Sequence, residues 1–148
     1  MNPVTEKITS EIELAVLKAL KPYGDFKKSD DKFSTYDLFG TTSGQKTLIE
    51  IKNRSTEYDN WYIEKAKIDR LVALKNKARY ELRIYLCMVV ENKAYFYNAN
   101  EIAKCQVKEV YINNYTNEEF NISKIMPKKS IRKLYCFPKN IYKTKILI

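Results

Sequence analysis

Tyr36-Asp37-Leu38-Phe39-Gly40 and, beyond a polar turn, Leu48-Ile49-Glu50-Ile51-Lys52-Asn53-Arg54 decide how the rest of the chain is read. Three charged side chains stand inside these apolar runs: Asp37 between Tyr36 and Leu38-Phe39, and Glu50 and Lys52 on either side of Ile51. Burying an ionisable group without a partner is costly. A chain that accepts this three times in one short stretch points to a site, with a core ion pair as the plain alternative. The two runs predict strands over 33–39 and 46–53, and the loop Gly40-Thr41-Thr42-Ser43-Gly44-Gln45, with glycine near both ends, favours an antiparallel hairpin between them. In the second strand a period of two puts Leu48, Glu50 and Lys52 on one face and Ile49 and Ile51 on the other.

Upstream, Ile8, Ile12, Val16, Ala19 and Leu20 recur at helical spacing, which predicts a helix over 5–21 stopped by Pro22 and Gly24. Glu13 falls on the margin of its apolar face, whereas Glu11 points away. Residues 25–32 are polar, a loop or an edge strand. Downstream, a second helix is expected over 60–77 with Ile63, Leu71, Leu74 and Ala78 on its apolar face. Lys67 lies within that stripe and either snorkels outward or enters a polar pocket; Lys65 is on the opposite side. The run Glu81–Val90 reads as a buried central strand, and Lys93–Tyr97 pairs back with it across Glu91-Asn92. A capped helical turn is expected at 98–102, a hairpin of 107–112 with 120–125, and an irregular basic remainder holding one more strand.

Composition narrows the chemistry. The length of 148 residues suits one domain, with a basic C-terminal segment at 121–148. The hydrophobic share of 45% with 30% charged residues is that of a soluble globular chain, without an apolar run long enough for a bilayer. The first residues lack a basic stretch followed by an apolar one, so no secretory signal is expected. Cys87, Cys105 and Cys136 are widely spaced and odd in number, which argues against disulfides or a zinc site and for a reducing cytoplasm, that of a microbe or of a virus's host. There is no histidine. Histidine-based nucleases, Ser-His triads and His-zinc deaminases are therefore excluded, leaving carboxylate, lysine, tyrosine and cysteine chemistry with oxygen ligands for a hard cation.

The net charge of +9 is concentrated at one end. Residues 121–148 carry eight basic side chains and no acid, leaving 19 basic and 18 acidic side chains in the first 120. Lysines interleaved with Tyr135, Phe137 and Tyr142 suit a polyanion, because cations release counterions from phosphates and aromatics stack on bases. A merely solvated surface is the alternative. Lys128, Lys129, Arg132 and Lys133 are the candidate nucleic-acid contacts.

The order helix, hairpin, helix, strand, with Asp37 followed thirteen residues later by Glu50-Ile51-Lys52, resembles the PD-(D/E)XK nuclease superfamily over about residues 8–90. Tyr36 stands where the superfamily's name has proline. The resemblance implies the restriction-endonuclease-like fold, an α/β architecture with a central mixed β-sheet flanked by α-helices. It implies catalysis by Asp37, Glu50 and Lys52, with Glu13 as the first-helix acid and Lys67 as the polar residue of the following helix. Asp37, Glu50 and the Ile51 carbonyl would hold Mg²⁺, or Mn²⁺, by oxygen ligands, and Lys52 would orient the attacking water. DNA is the expected partner, in a homodimer that brings two sites to two strands. Three readings follow: a metal-dependent DNA endonuclease, a Holliday-junction resolvase of the same chemistry, and a non-catalytic DNA-binding or inhibitory module on the same fold.

Overall fold

The computed structural model describes residues 3–30, 34–113 and 129–148. Helix α1 (Pro3–Leu20) opens the chain and ends where the amides of Tyr23 and Gly24 both turn back to the Leu20 carbonyl, at 2.8 and 3.2 Å. Val16 and Leu20 carry its buried face.

Next come β1 (Asp25–Lys28), β2 (Leu38–Thr42) and β3 (Gln45–Arg54), antiparallel neighbours in that order. Of the loop or edge strand expected over 25–32, Asp25–Lys28 form the edge strand β1. Gly40 is what lets β1 approach: a Cβ there would stand 2.1 Å from the Asp25 carbonyl oxygen. The hairpin differs from expectation. Its loop is only Ser43-Gly44, with φ of 50° and 76°, flanked by the pair Thr42–Gln45. Positive φ at both loop residues matches the right-handed twist of the flanking strands, so Gly40 to Thr42 join β2. At its other end β2 begins at Leu38, and Asp37 precedes it.

The predicted second helix is two elements. Residues Asn60–Glu64 form strand β4, and helix α2 spans Lys65–Lys77. Asn60, Tyr62 and Glu64 face out while Trp61 and Ile63 are buried, a period of two that outweighs the helical spacing of Ile63 with Lys67. The buried residues of α2 are Ile68 and Leu71, not Ile63. After α2 run β5 (Leu82–Val90) and β6 (Lys93–Asn98), then a short helix α3 (Ala99–Ile102) whose Asn98 cap accepts the Asn100 amide at 2.9 Å. Strand β5 lies parallel to β3 and antiparallel to β6, so β4 and α2 form the crossover that a parallel pair requires.

The C-terminal part is more regular than its composition suggests. Strand β7 (Gln106–Asn113) pairs with β8 (Lys129–Pro138), and β8 pairs with β4. The expected partner of β7, residues 120–125, lies outside the described residues. A 3₁₀ turn (Lys139–Ile141) leads to β9 (Thr144–Leu147) at the edge of the main sheet.

Two sheets result: a mixed six-stranded one ordered β1-β2-β3-β5-β6-β9 and an antiparallel three-stranded one ordered β4-β8-β7. The larger carries apolar residues on both faces. On one, Val16 and Leu20 of α1 meet Leu38, Ile49, Cys87, Val89 and Phe96. On the other, Leu86, Met88 and Tyr97 meet α2, α3 and the inner face of the small sheet through Ile68, Leu71, Ile102, Trp61 and Phe137. This is the α/β arrangement of a central mixed sheet with flanking helices.

Candidate active site

The carboxyl end of β3 opens into a cleft of about 650 Å³ between α1 and α2. Period-two alternation in β3 keeps Leu48, Glu50 and Lys52 on one face, as expected; the structure makes it the α2 side, with Leu48 in the core beneath that helix. Glu50 is only 5% exposed. Two ammonium groups converge on its Oε1, Lys52 Nζ at 3.5 Å from the same strand and Lys67 Nζ at 3.9 Å from the first turn of α2.

Strand register, which the sequence leaves open, is fixed around Asp37. Its amide donates to the Ile49 carbonyl at 2.9 Å, and its Oδ2 accepts the Ile51 amide at 2.7 Å. The carboxylate thus takes the position of a backbone acceptor just beyond the end of β2. A strand residue directs its N–H and C=O to the same edge, so the Ile51 carbonyl opens toward Asp37. Asp37 and Glu50 therefore reach the same cleft. Burial and the neighbouring Asp37 charge push the Glu50 carboxyl up to about 7, while Lys52 and Lys67 pull the other way less strongly.

Glu13 lines the cleft from α1, and its Oε2 is engaged by Lys28 Nζ of β1 at 3.1 Å. Glu11 is exposed, as helical geometry requires. Lys67 enters the cleft although Ile63, at one end of the stripe that selected it, lies on β4 and only Leu71 and Leu74 continue that stripe on α2; its position two residues into α2 accounts for its reach. Lys65 instead pairs with Asp69. Among the described residues no group of three or more carboxylate or sulfur side chains is gathered closely enough to hold a metal ion. Asp37, Glu50 and the Ile51 carbonyl are the oxygen donors here that could hold a divalent cation. This donor set fits one: two carboxylates share a cleft where one resists ionisation, the electrostatic condition that an added cation relieves.

Arg54 was not singled out by sequence, although it continues the row of Glu50 and Lys52 two residues on. Arg54 lines the cleft, and its guanidinium donates to the carbonyls of Asn53 and Tyr62 at 3.2 and 3.0 Å. Of the candidate nucleic-acid contacts, Arg132 lies on β8 and pairs with Glu64 at 2.9 Å, and Lys133 is exposed beside it. Lys128 lies outside the described residues, and Lys129 starts β8.

Residues 27–134 match the family model of the archaeal Holliday junction resolvase, Hjc. The chain belongs to the Hjc family. The match spans β1 to β8 and includes Asp37, Glu50, Lys52 and Lys67. Hjc proteins are Holliday junction resolvases within the PD-(D/E)XK nuclease superfamily, so membership makes the chain one of a family of structure-specific nucleases acting on DNA. Both the endonuclease and the resolvase readings agree with it. Among solved structures, the Hjc of Archaeoglobus fulgidus, a hyperthermophilic archaeon, superposes with a TM-score of 0.57 at 12% identity, over 94% of this chain and 90% of that one. At that identity the likeness supports the Hjc fold, restriction-endonuclease-like, and no more. No curated protein matches the sequence. No helix among the described residues is long and apolar enough to cross a membrane.

Proposed function

We propose that the chain is a divalent-metal-dependent endodeoxyribonuclease that cuts four-way DNA junctions, with Mg²⁺ or Mn²⁺ held by Asp37, Glu50 and the Ile51 carbonyl. The observation that carries this is the meeting of Asp37, Glu50 and two lysines at the carboxyl end of one strand, in a chain of the Hjc family. When bound there, the cation polarises the scissile phosphate and makes its bound water more acidic.

The protein's own part is positioning and charge. Lys52 orients the attacking water and offsets the charge that develops on the phosphate. Lys67, across the cleft, holds a phosphate oxygen, and its contact to Glu50 keeps the ammonium directed inward. Glu13 stands at the α1 wall, held by Lys28, where it accepts a hydrogen bond from a water of the site. None of these steps needs histidine. Lys128, Lys129, Arg132 and Lys133 bind the DNA arms, and a homodimer would bring two such clefts to two strands of one junction.

The test is incubation of the protein with a four-way junction, a linear duplex and a supercoiled plasmid, with Mg²⁺, Mn²⁺ or EDTA. Metal-dependent incision of the junction is expected, and Glu50→Ala and Lys52→Ala should each reduce it by at least about a hundredfold. Junction binding without incision, equal in wild type and both variants, would instead support the non-catalytic module. Neutralising Lys128, Lys129, Arg132 and Lys133 together should flatten the salt dependence of binding by a log–log slope of about 3–4; an unchanged slope would remove this segment from the interface.

A further inference from the structure

The outer face of the three-stranded sheet leaves a tyrosine bare beside the cleft. Trp61 and Ile63 of β4 are each 1% exposed, whereas Tyr62 between them is 41% exposed. Alternation places Tyr62 on the side away from the core, and strand register adds Glu64, Lys108 and Arg132 to the same face. Glu64 and Lys108 are exposed as well.

Lys108 reaches over β8 to place its Nζ 3.5 Å from the Tyr62 hydroxyl and 5.6 Å from the ring centroid. The ammonium is thus nearer the hydroxyl than the ring centre, and Tyr62 stays exposed with that contact made. Toward the cleft, the Tyr62 carbonyl accepts from Arg54 Nη2 at 3.0 Å, and Arg54 shares the cleft wall with Lys52. Arg54, Tyr62 and Lys108 thus form a strip leading away from the site, with Arg132 and its partner Glu64 alongside. Three cations against one carboxylate favour a phosphate backbone, and an exposed aromatic ring among them favours a nucleobase.

Inside a stacked duplex, base faces are covered. At a branch point the terminal pairs of the arms can present theirs. We infer that Tyr62 is a stacking platform for a base exposed at the branch point, flanked by Arg54 and Lys108 on the adjoining phosphates. Tyr62 then determines selectivity for branched over linear DNA, which deepens the resolvase reading above and rests on it.

The experiment uses junctions carrying 2-aminopurine next to the branch point, bound in EDTA so that no strand is cut, and compares wild type, Tyr62→Ala, Tyr62→Phe and Lys108→Gln. Wild type should quench the 2-aminopurine emission, and Tyr62→Phe should do the same. Tyr62→Ala should lose the quench and bind the junction roughly tenfold more weakly, with linear-duplex binding unchanged. Lys108→Gln should keep the quench and lower the salt slope by about 1. A Tyr62→Ala protein that keeps both the quench and the junction-to-duplex ratio, while wild type still cuts junctions in metal, would overturn the platform and leave the nuclease standing. A wild type that neither binds nor cuts junctions would overturn both.

Discussion

Glu50 shows what the site costs the fold. Its carboxyl is pushed up from the ordinary 4.5 to about 7 because it is buried and faces Asp37. The folded state therefore holds a proton more tightly than the unfolded chain, and stability falls as pH rises from about 4.5 through about 7. Fully developed, the loss is about 3 kcal/mol. In EDTA, Glu50→Gln should therefore melt higher than wild type at pH 8, and the advantage should vanish toward pH 4.5; a variant no more stable at pH 8 would contradict this assignment. At this scale the sequence was informative where a charge interrupts an apolar run, which is how Asp37, Glu50 and Lys52 stand out. For Arg54 it offers only the period of two, because that charge follows no apolar residue and joins the site through the Asn53 and Tyr62 carbonyls.

Among the elements, the β1–β2–β3 hairpin sheet sets where Asp37 ends up. Gly40→Ala would drive a methyl into the Asp25 carbonyl, so β1 must move; a loss of about 2 kcal/mol is expected by urea unfolding. The two-residue loop is tunable in the other direction. Asparagine tolerates positive φ better than serine, so Ser43→Asn should raise stability by about 0.5 kcal/mol without altering incision. The elements that sequence reading placed well, α1, β3, β5 and β6, have one dominant period each. Residues 60–77 carry two, and the strand half was hidden because Ile63 fits either. What decides it is pairing with β8, where Trp61 opposes Phe137 and Ile63 opposes Tyr135, contacts made about 75 residues along the chain and invisible to any local pattern.

For the whole molecule, Glu57 fastens the loop after β3 to distant parts of the chain. Its carboxylate takes Lys93 Nζ at 2.7 Å, Lys139 Nζ at 3.0 Å and the Tyr95 hydroxyl at 3.0 Å, joining β6 and the C-terminal 3₁₀ turn. Hydrogen bonds from Lys93 first, then Lys139, hold it down at about 2. This stabilisation is present above about 4.5 and is lost as pH falls toward 2. Because the group is partly exposed, Glu57→Gln should cost only about 1–2 kcal/mol at pH 7, with the difference gone near pH 2, as thermal melts would show. The basic C-terminal segment is thus partly architectural: β8 is the middle strand of the small sheet and β9 closes the large one. Charge and proline content suggested irregular chain there. The strand-forming side chains, from Ile131 to Phe137, are interrupted by Arg132, which pairs with Glu64, and by the exposed Lys133, so composition masked the period.

The bond from Asp37 Oδ2 to the Ile51 amide bears on how such a site can be lost. One carboxylate supplies both negative charge and strand alignment. Asp37→Asn keeps an oxygen acceptor for the amide and removes only the charge, whereas Asp37→Ala removes both. The asparagine variant should melt at least as high as wild type, because Glu50 no longer faces the Asp37 charge, and keep junction binding while losing incision, whereas the alanine variant should melt lower than the asparagine one. Aspartate and asparagine codons differ by one nucleotide. An inert, fully folded junction-binding descendant would then lie a single point mutation away.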